Sequence, residues 1–304
     1  MSNLTNQGLL LLIACPVCKG DLGESAEHLL CTRCGMSYEI RQGIPLLYSP
    51  TTDLGHLQEE EHLAEMMKSR RLGKSEQFSS LQWKTSKHEF WSMVTANIQT
   101  PPKLFINIGC GYDSAFRVFE QQGYEFVNFD MVFDMLNELQ NEYGGRSCVG
   151  GDVKYLPFKQ NIFDYVVSID LIHHESDEVF ALLESFRDLL KTGGMLFLED
   201  PNSWGMFQMA KSILLPKPVY RALRSTCHQV KQATHRPADY EFPTSVWKVK
   251  EMLQILGFQN IRVHANTAYP GIGEASFRFY RLLSNFEGVR KYLNYHYMLS
   301  AVRR

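Results

Sequence analysis

Residues 103–111 read KLFINIGCG, a short apolar run that stops at Gly109-Cys110-Gly111. Leu104, Phe105, Ile106 and Ile108 predict a strand, and glycines directly after a strand let the backbone turn tightly and approach a ligand. A helix is expected over 114–122, then a second strand over 125–129 ending in Asp130, a helix over 131–141 and a short strand over 147–149. Residues 164–169 are continuously apolar after Asp164, as expected of a strand buried on both faces. A helix over 177–190 should end at Thr192-Gly193-Gly194, with the next strand over 195–198. This alternation predicts an α/β fold, a doubly wound and mostly parallel sheet with its ligand at the carboxyl ends of the strands. Residues 201–240 interrupt the rhythm; beyond them we read a helix over 245–256 closed by Gly257, a strand over 260–264, a helix over 277–293 and a last strand over 295–302.

Upstream the texture differs. Cys15-x-x-Cys18 and Cys31-x-x-Cys34 stand twelve residues apart within a turn-rich unit of residues 1–50. Four soft thiolates complete a closed tetrahedral zinc shell, and two residues between paired cysteines let one tight turn present both sulfurs. The shell leaves no open position, so Zn2+ is expected to be structural. Seven cysteines cannot all pair, and Cys110, Cys148 and Cys227 are scattered, which suits a metal site in a reducing, cytoplasmic compartment. The apolar run GLLLLIA over 8–14 has no Lys or Arg before it, unlike a secretory signal, and is too short to span a bilayer; it is expected to pack against this cysteine-bearing unit. Residues 51–100 read as a helical linker and cover, and 101–304 as the main domain.

The chain has 304 residues, 44% hydrophobic and 21% charged, ordinary for a globular protein. A net charge of −2 argues against a nucleic-acid partner, which calls for a strongly basic surface.

The segment from Leu12 through Cys15-Pro16-Val17-Cys18-Lys19-Gly20 to Gly43-Ile44-Pro45-Leu46-Leu47 resembles short zinc-ribbon proteins that partner and activate methyltransferases. That likeness covers residues 9–48 and implies a module fused to the enzyme it supports. In the main domain, Asp130 ends the second strand nineteen residues after Gly111, where a carboxylate can accept both ribose hydroxyls. With the run GDVKYLPFKQNIFDYVVSIDLIHH over 151–174, residues 103–200 resemble class I S-adenosylmethionine-dependent methyltransferases of the ubiquinone-biosynthesis type. The resemblance implies a Rossmann-like seven-stranded sheet. It assigns Gly109 and Gly111 to the methionine moiety of S-adenosyl-L-methionine, Asp130 to the ribose, and Asp152 with Val153 to the adenine. Two positions depart from the pattern: Asn107 stands where an acid is usual, and Asp113 where a third glycine is usual. The Asn107 amide oxygen can still accept from the cofactor ammonium, without the charge attraction. An NAD site is disfavoured because the full Gly-x-Gly-x-x-Gly would need glycine at Ser114.

Methyl transfer is an in-line displacement driven by the sulfonium, so it requires no metal; for a hydroxyl acceptor it requires a base. His174 is the first candidate and His173 the second, with Asp200, at the end of the adjacent strand, as the carboxylate partner. Residues 201–240 are expected to form a substrate lid; from 201 to 238 they carry six Lys or Arg and no Asp or Glu. Such a lid suits a small-molecule, glycan or lipid-linked acceptor, methylated on oxygen, and also peripheral membrane contact through 204–236. Two alternatives are an rRNA methyltransferase of the zinc-ribbon guanine-N1 type, which shares the short run AEMMKSRR over 64–71, and a non-catalytic scaffold of the same fold.

Overall fold

The structure is a computed structural model describing residues 6–25, 27–72, 77–113, 115–143, 147–175, 178–205, 244–266, 282 and 285–304. A short helix α1 (Asn6–Leu12) leads into a four-stranded antiparallel sheet of β1 (Leu22–Ser25), β2 (His28–Cys31), β3 (Ser37–Arg41) and β4 (Ile44–Pro45), paired in chain order. Two long helices follow, α2 (Leu54–Leu72) and α3 (Gln77–Asn97). The main sheet contains β5 (Leu104–Ile108), β6 (Glu125–Asp130), β7 (Cys148–Gly150), β8 (Phe163–Ile169), β9 (Leu190–Pro201), β10 (Phe258–His264) and β11 (His296–Arg303). Its seven strands run in the order β10-β11-β9-β8-β5-β6-β7. The five strands from β5 to β9 are parallel; β11 is antiparallel to β9, and β10 antiparallel to β11. Helices α4 (Phe116–Gln121), α5 (Phe133–Tyr143), α6 (Val179–Leu189), α7 (Val246–Ile255) and α8 (Glu287–Tyr292) complete the described elements. The expected doubly wound, mostly parallel sheet with a small cysteine-bearing N-terminal unit is what forms.

Alternation along the central strands divides the core in two. Ile106, Ile108 and Val166 face a cluster with Leu182, Leu183 and Phe186 of α6, whose apolar residues recur at helical spacing. Phe105, Tyr165 and Val167 face the other side, against Phe90, Trp91 and Val94 of α3. There Phe105 and Phe126 stack at 4.4 Å, 6° from parallel, and burying each such ring contributes about 1.5–3 kcal/mol.

The expected end of the helix before β9 is corrected. Helix α6 stops at Leu189, and Leu190–Gly194 already belong to β9 rather than to a helix cap. The two glycines serve an irregularity inside the sheet: the β8–β9 register shifts between Phe163 and Tyr165, and Gly193 takes φ +80°. A Cβ on Gly194 would lie 2.9 Å from the backbone oxygens of Asp164 and Lys191. Of the expected lid, residues 206–240 lie outside the described residues, as do 277–281 and 283–284 of the expected late helix and most of the 204–236 membrane-contact segment.

The N-terminal unit shares its core with the main sheet. Leu9, Ile13, Leu29, Tyr38 and Leu47 belong to the same buried cluster as Ile106, Phe129 and Phe158. Backbone bonds cross the junction: Ala14 N–H donates to Pro157 O at 2.9 Å, and Lys159 N–H to Leu12 O at 2.9 Å. Lys19 Nζ donates to Leu156 O at 2.7 Å. The apolar run over 8–14 therefore packs where ribbon and sheet meet.

Candidate active site

The four cysteines come together. Cys15 Sγ lies 3.6 Å from Cys34 Sγ, Cys18 Sγ lies 3.5 Å from Cys31 Sγ, and all four sulfurs fall within 4.8 Å of one another. A zinc ion bonded to four sulfurs at about 2.3 Å sets tetrahedral S···S edges of about 3.8 Å, so the set fits zinc. Lys19, at φ +58°, turns the chain after the first pair. Gly20 is required because a Cβ there would meet Arg33 Cβ at 2.7 Å. Arg33 Nη1 donates to Cys18 O at 3.1 Å, and the Tyr38 hydroxyl lies 3.0 Å from Cys15 Sγ. These contacts brace the sulfurs from outside, as metal ligands require.

At the carboxyl ends of the strands, Gly109 (φ +70°) and Gly111 (φ +50°) adopt the left-handed backbone that favours glycine. Gly109 N–H and Cys110 N–H both donate to Phe129 O, at 2.9 and 3.1 Å, which ties this loop to the end of β6. Asp130 completes the tie: Oδ2 accepts from Gly111 N–H at 2.8 Å and Oδ1 from Val132 N–H at 2.9 Å. Each carboxylate oxygen keeps a further lone pair for a ribose hydroxyl. Burial pushes the Asp130 pKa up to about 6, against the pull of those N–H groups. Asp152 caps the short 3-10 turn Val153–Tyr155 by accepting from Lys154 N–H at 2.9 Å. Asn107 is buried on β5, its Nδ2 without a partner. Asp113 is committed elsewhere: Oδ2 accepts from Trp91 Nε1 at 3.1 Å and lies 3.2 Å from Lys87 Nζ.

Helix α2 lies over this crevice. Ala64 packs with Val132 and Met135, and the Tyr112 hydroxyl reaches Ala64 O at 3.4 Å. On the β8 side, Glu60 lies 3.8 Å from His174 Nδ1, and His56 lies 4.0 Å from Glu175. A cofactor there would be held between Gly109–Gly111 below, Asp130 and Asp152 at one side, and α2 above. The open space beside Gly111, where a Cβ would find only Met135 Sδ within 4 Å, fits such a ligand.

Sequence placed His174 ahead of His173 as the partner of Asp200; the structure pairs Asp200 with His173 instead, and His174 Nδ1 lies near Glu60. His173 Nδ1 lies 3.0 Å from Asp200 Oδ1, which also accepts from Ile172 N–H at 3.1 Å. Asp200 is fully buried, and its Oδ2 has no partner. The His173 and His174 ring centroids lie 4.1 Å apart, the rings tilted by 40°. Two further residues were missed. Asp170 offers an oxygen within 4.8 Å of the ligating atoms of His173 and Asp200. His296, on β11, lies 3.3 Å from Glu199 and 3.7 Å from Asp170. Burial pulls the His296 pKa down, but Asp170 and Glu199 more than offset it and leave it at about 9. No local spacing announces His296; it arrives through the antiparallel register that sets it opposite Pro201.

Comparison with known proteins agrees with the fold. Residues 106–198 match the methyltransferase domain family. Over 125 residues the chain is 30% identical to a protein of Encephalitozoon cuniculi (strain GB-M1) described as a methyltransferase, covering 40% of this chain and 57% of that one. The chain thus spans little more than half the length of that relative. An N-terminal stretch of 41 residues is 51% identical to a UPF0434 protein of Hahella chejuensis, covering 13% of this chain and 68% of that protein. Among solved structures, a SAM-dependent methyltransferase of Thermotoga maritima aligns with TM-score 0.52 at 13% identity, over 83% of this chain and 100% of that chain. A chain from the complex of the Haloferax volcanii Trm112 methyltransferase activator with its methyltransferase aligns with TM-score 0.53 at 14% identity, over 81% and 95%. At these identities the structural likeness is one of fold.

Proposed function

We propose that this chain, which carries a segment similar to UPF0434 proteins ahead of a region matching the methyltransferase domain family, is an S-adenosylmethionine-dependent methyltransferase, and that it methylates an oxygen of a small-molecule, glycan or lipid-linked acceptor with His173 as the base. Gly109 and Gly111 let the backbone lie against the methionine moiety, Asp130 accepts the ribose hydroxyls, and Asp152 with Val153 borders the adenine. Asn107, without the usual charge, contributes a dipole toward the ammonium.

Bound S-adenosylmethionine supplies an electrophilic methyl carbon. Asp200 holds the proton on His173 Nδ1, which leaves Nε2 as the acceptor for the substrate hydroxyl proton. His173 Nε2 would take the proton of the acceptor hydroxyl as that oxygen is methylated. His174, whose ring lies 4.1 Å from that of His173, and Glu60 of α2 border the same space. Helix α2 excludes water from it. The fused ribbon takes the part that a separate activator chain plays in the Haloferax complex, and its thiolate site suits a reducing cytoplasm.

The observation that carries this reading is the 3.0 Å contact between His173 and the buried Asp200, at the strand edge beside the glycine loop. His173→Ala is expected to lower turnover about a hundredfold or more while leaving S-adenosylhomocysteine affinity near wild type by calorimetry. Asp200→Asn is expected to lower turnover in the same direction. Undiminished turnover in His173→Ala removes His173 as the base.

A further inference from the structure

Three consecutive residues leaving β4 touch both carboxylate-bearing turns of the crevice. Leu46 forms a parallel bridge with Gly150, and Leu47 N–H donates to Gly150 O at 2.7 Å. The Tyr48 hydroxyl donates to Met131 O at 2.6 Å. Met131 follows Asp130, and Gly150-Gly151 lead directly into Asp152. The approach is close: a Cβ on Gly150 would lie 2.5 Å from Leu46 Cδ2 at the tip of that side chain, and one on Gly151 would lie 3.1 Å from Leu47 O. Burial, then the nearby Asp130 carboxylate, push the Tyr48 pKa up, so its hydroxyl stays a donor at neutral pH.

We propose that Leu46, Leu47 and Tyr48 form a wall of the adenosine half of the crevice, and that Tyr48 is a positioning residue that fixes Met131 and, through it, Asp130. This rests on the reading of Asp130 and Asp152 as the ribose and adenine carboxylates.

The wall is tied to the metal. A cavity of about 390 Å³ lies between ribbon, α2 and α5, and both Tyr38 and Tyr48 line it. Tyr38 is the residue whose hydroxyl lies 3.0 Å from Cys15 Sγ. Leu46 N–H donates to Glu39 O at 2.9 Å, so the segment carrying Tyr48 is registered on the strand carrying Tyr38. Zinc that orders Cys15 and Tyr38 therefore orders the strand from which Tyr48 departs. Coupling of this kind is reciprocal: if zinc tightens the cofactor, the cofactor must retain the zinc by the same factor.

The test is calorimetric titration of S-adenosylhomocysteine into the full-length, zinc-loaded chain. Tyr48→Phe keeps the ring and removes one donor; it is expected to weaken binding about fivefold, with zinc content and ligand-free Tm unchanged and the loss appearing in KM for the cofactor rather than in kcat. Asp21→Asn removes the 2.8 Å ion pair to Lys159 elsewhere on the same junction and should leave affinity at the wild-type value. Equal affinity in Tyr48→Phe and wild type overturns the proposal, as does an equal loss in Asp21→Asn, which would mean general loosening. Should Tyr48→Phe melt early or lose zinc, the wild type decides: zinc affinity in equilibrium competition with a chelator several times tighter with S-adenosylhomocysteine present supports the coupling, and an unchanged affinity overturns it. A wild-type chain that binds no S-adenosylhomocysteine overturns the reading of Asp130 and Asp152, and this inference with it.

Discussion

In the proposed site, Asp130 is the carboxyl group that would link fold to ligand. Its two backbone bonds join the glycine loop to the end of β6, and burial still leaves its pKa at about 6. The ionised form is the one with lone pairs for two ribose hydroxyls. Proton and cofactor then compete, so affinity for S-adenosylhomocysteine should be level above pH 7 and fall about tenfold per pH unit below about 6. Calorimetry between pH 5 and pH 8 reads this directly, and a flat profile would remove Asp130 as the ribose acceptor. His296 titrates in the opposite sense. Its folded pKa of about 9 stands above its ordinary value, so the stability it contributes is present below about pH 6.5 and is lost as pH rises through 9. Wild-type Tm is expected to decline over that window, and His296→Gln to flatten the decline. The sequence pointed to Asp130 because the spacing from Gly111 is local; it could not point to His296, whose partners Glu199 and Asp170 lie about a hundred residues away and meet it through strand register.

At the level of elements, the parallel strands β5 to β8 were legible because each is a short apolar run closed by a polar or glycine residue. Thr192-Gly193-Gly194 misled because glycine pairs end helices as readily as they relieve crowding inside strands. Here the second use applies, since a Cβ on Gly194 would meet the backbone oxygens of Asp164 and Lys191 at 2.9 Å. Backbone cannot yield as a side-chain tip can, so Gly194→Ala is expected to cost about 1–3 kcal/mol, read as a lowered denaturation midpoint with an unchanged slope. Helix α2 was read as a cover from its polar, helical character and the helical spacing of its apolar residues. What it covers was not legible, because its contacts, Glu60 with His174 and Ala64 with Val132 and Met135, join residues far apart in the chain. Similarly, sequence preferred His174 to His173, and the preference did not match the pairing, because adjacent residues in a 3-10 turn point different ways and Asp200 meets His173.

Across the whole molecule, the change in composition near residue 50 marks a boundary that the apolar core does not respect. One buried cluster runs from Leu9 and Tyr38 through Phe129 and Phe158 to Leu299. The segment leaving β4 also covers the outer edge of the main sheet, since Leu46 and Leu47 bond Gly150 at the end of β7. The ribbon, for its part, encloses too few residues to hold its shape without cross-linking, and in units of this size metal binding supplies the folding free energy. Removing zinc should therefore do more than melt residues 1–50. The methyltransferase domain would lose part of its core and expose the β7 edge, which is free to pair with another chain. Stripping the metal with a strong chelator is expected to lower the Tm of the entire chain by several degrees or more, in one transition, with light scattering rising as the edge is uncovered. A differential scan that instead resolves two transitions, the upper one unmoved by chelation, would mean that the shared cluster is continuous in space without being cooperative in energy.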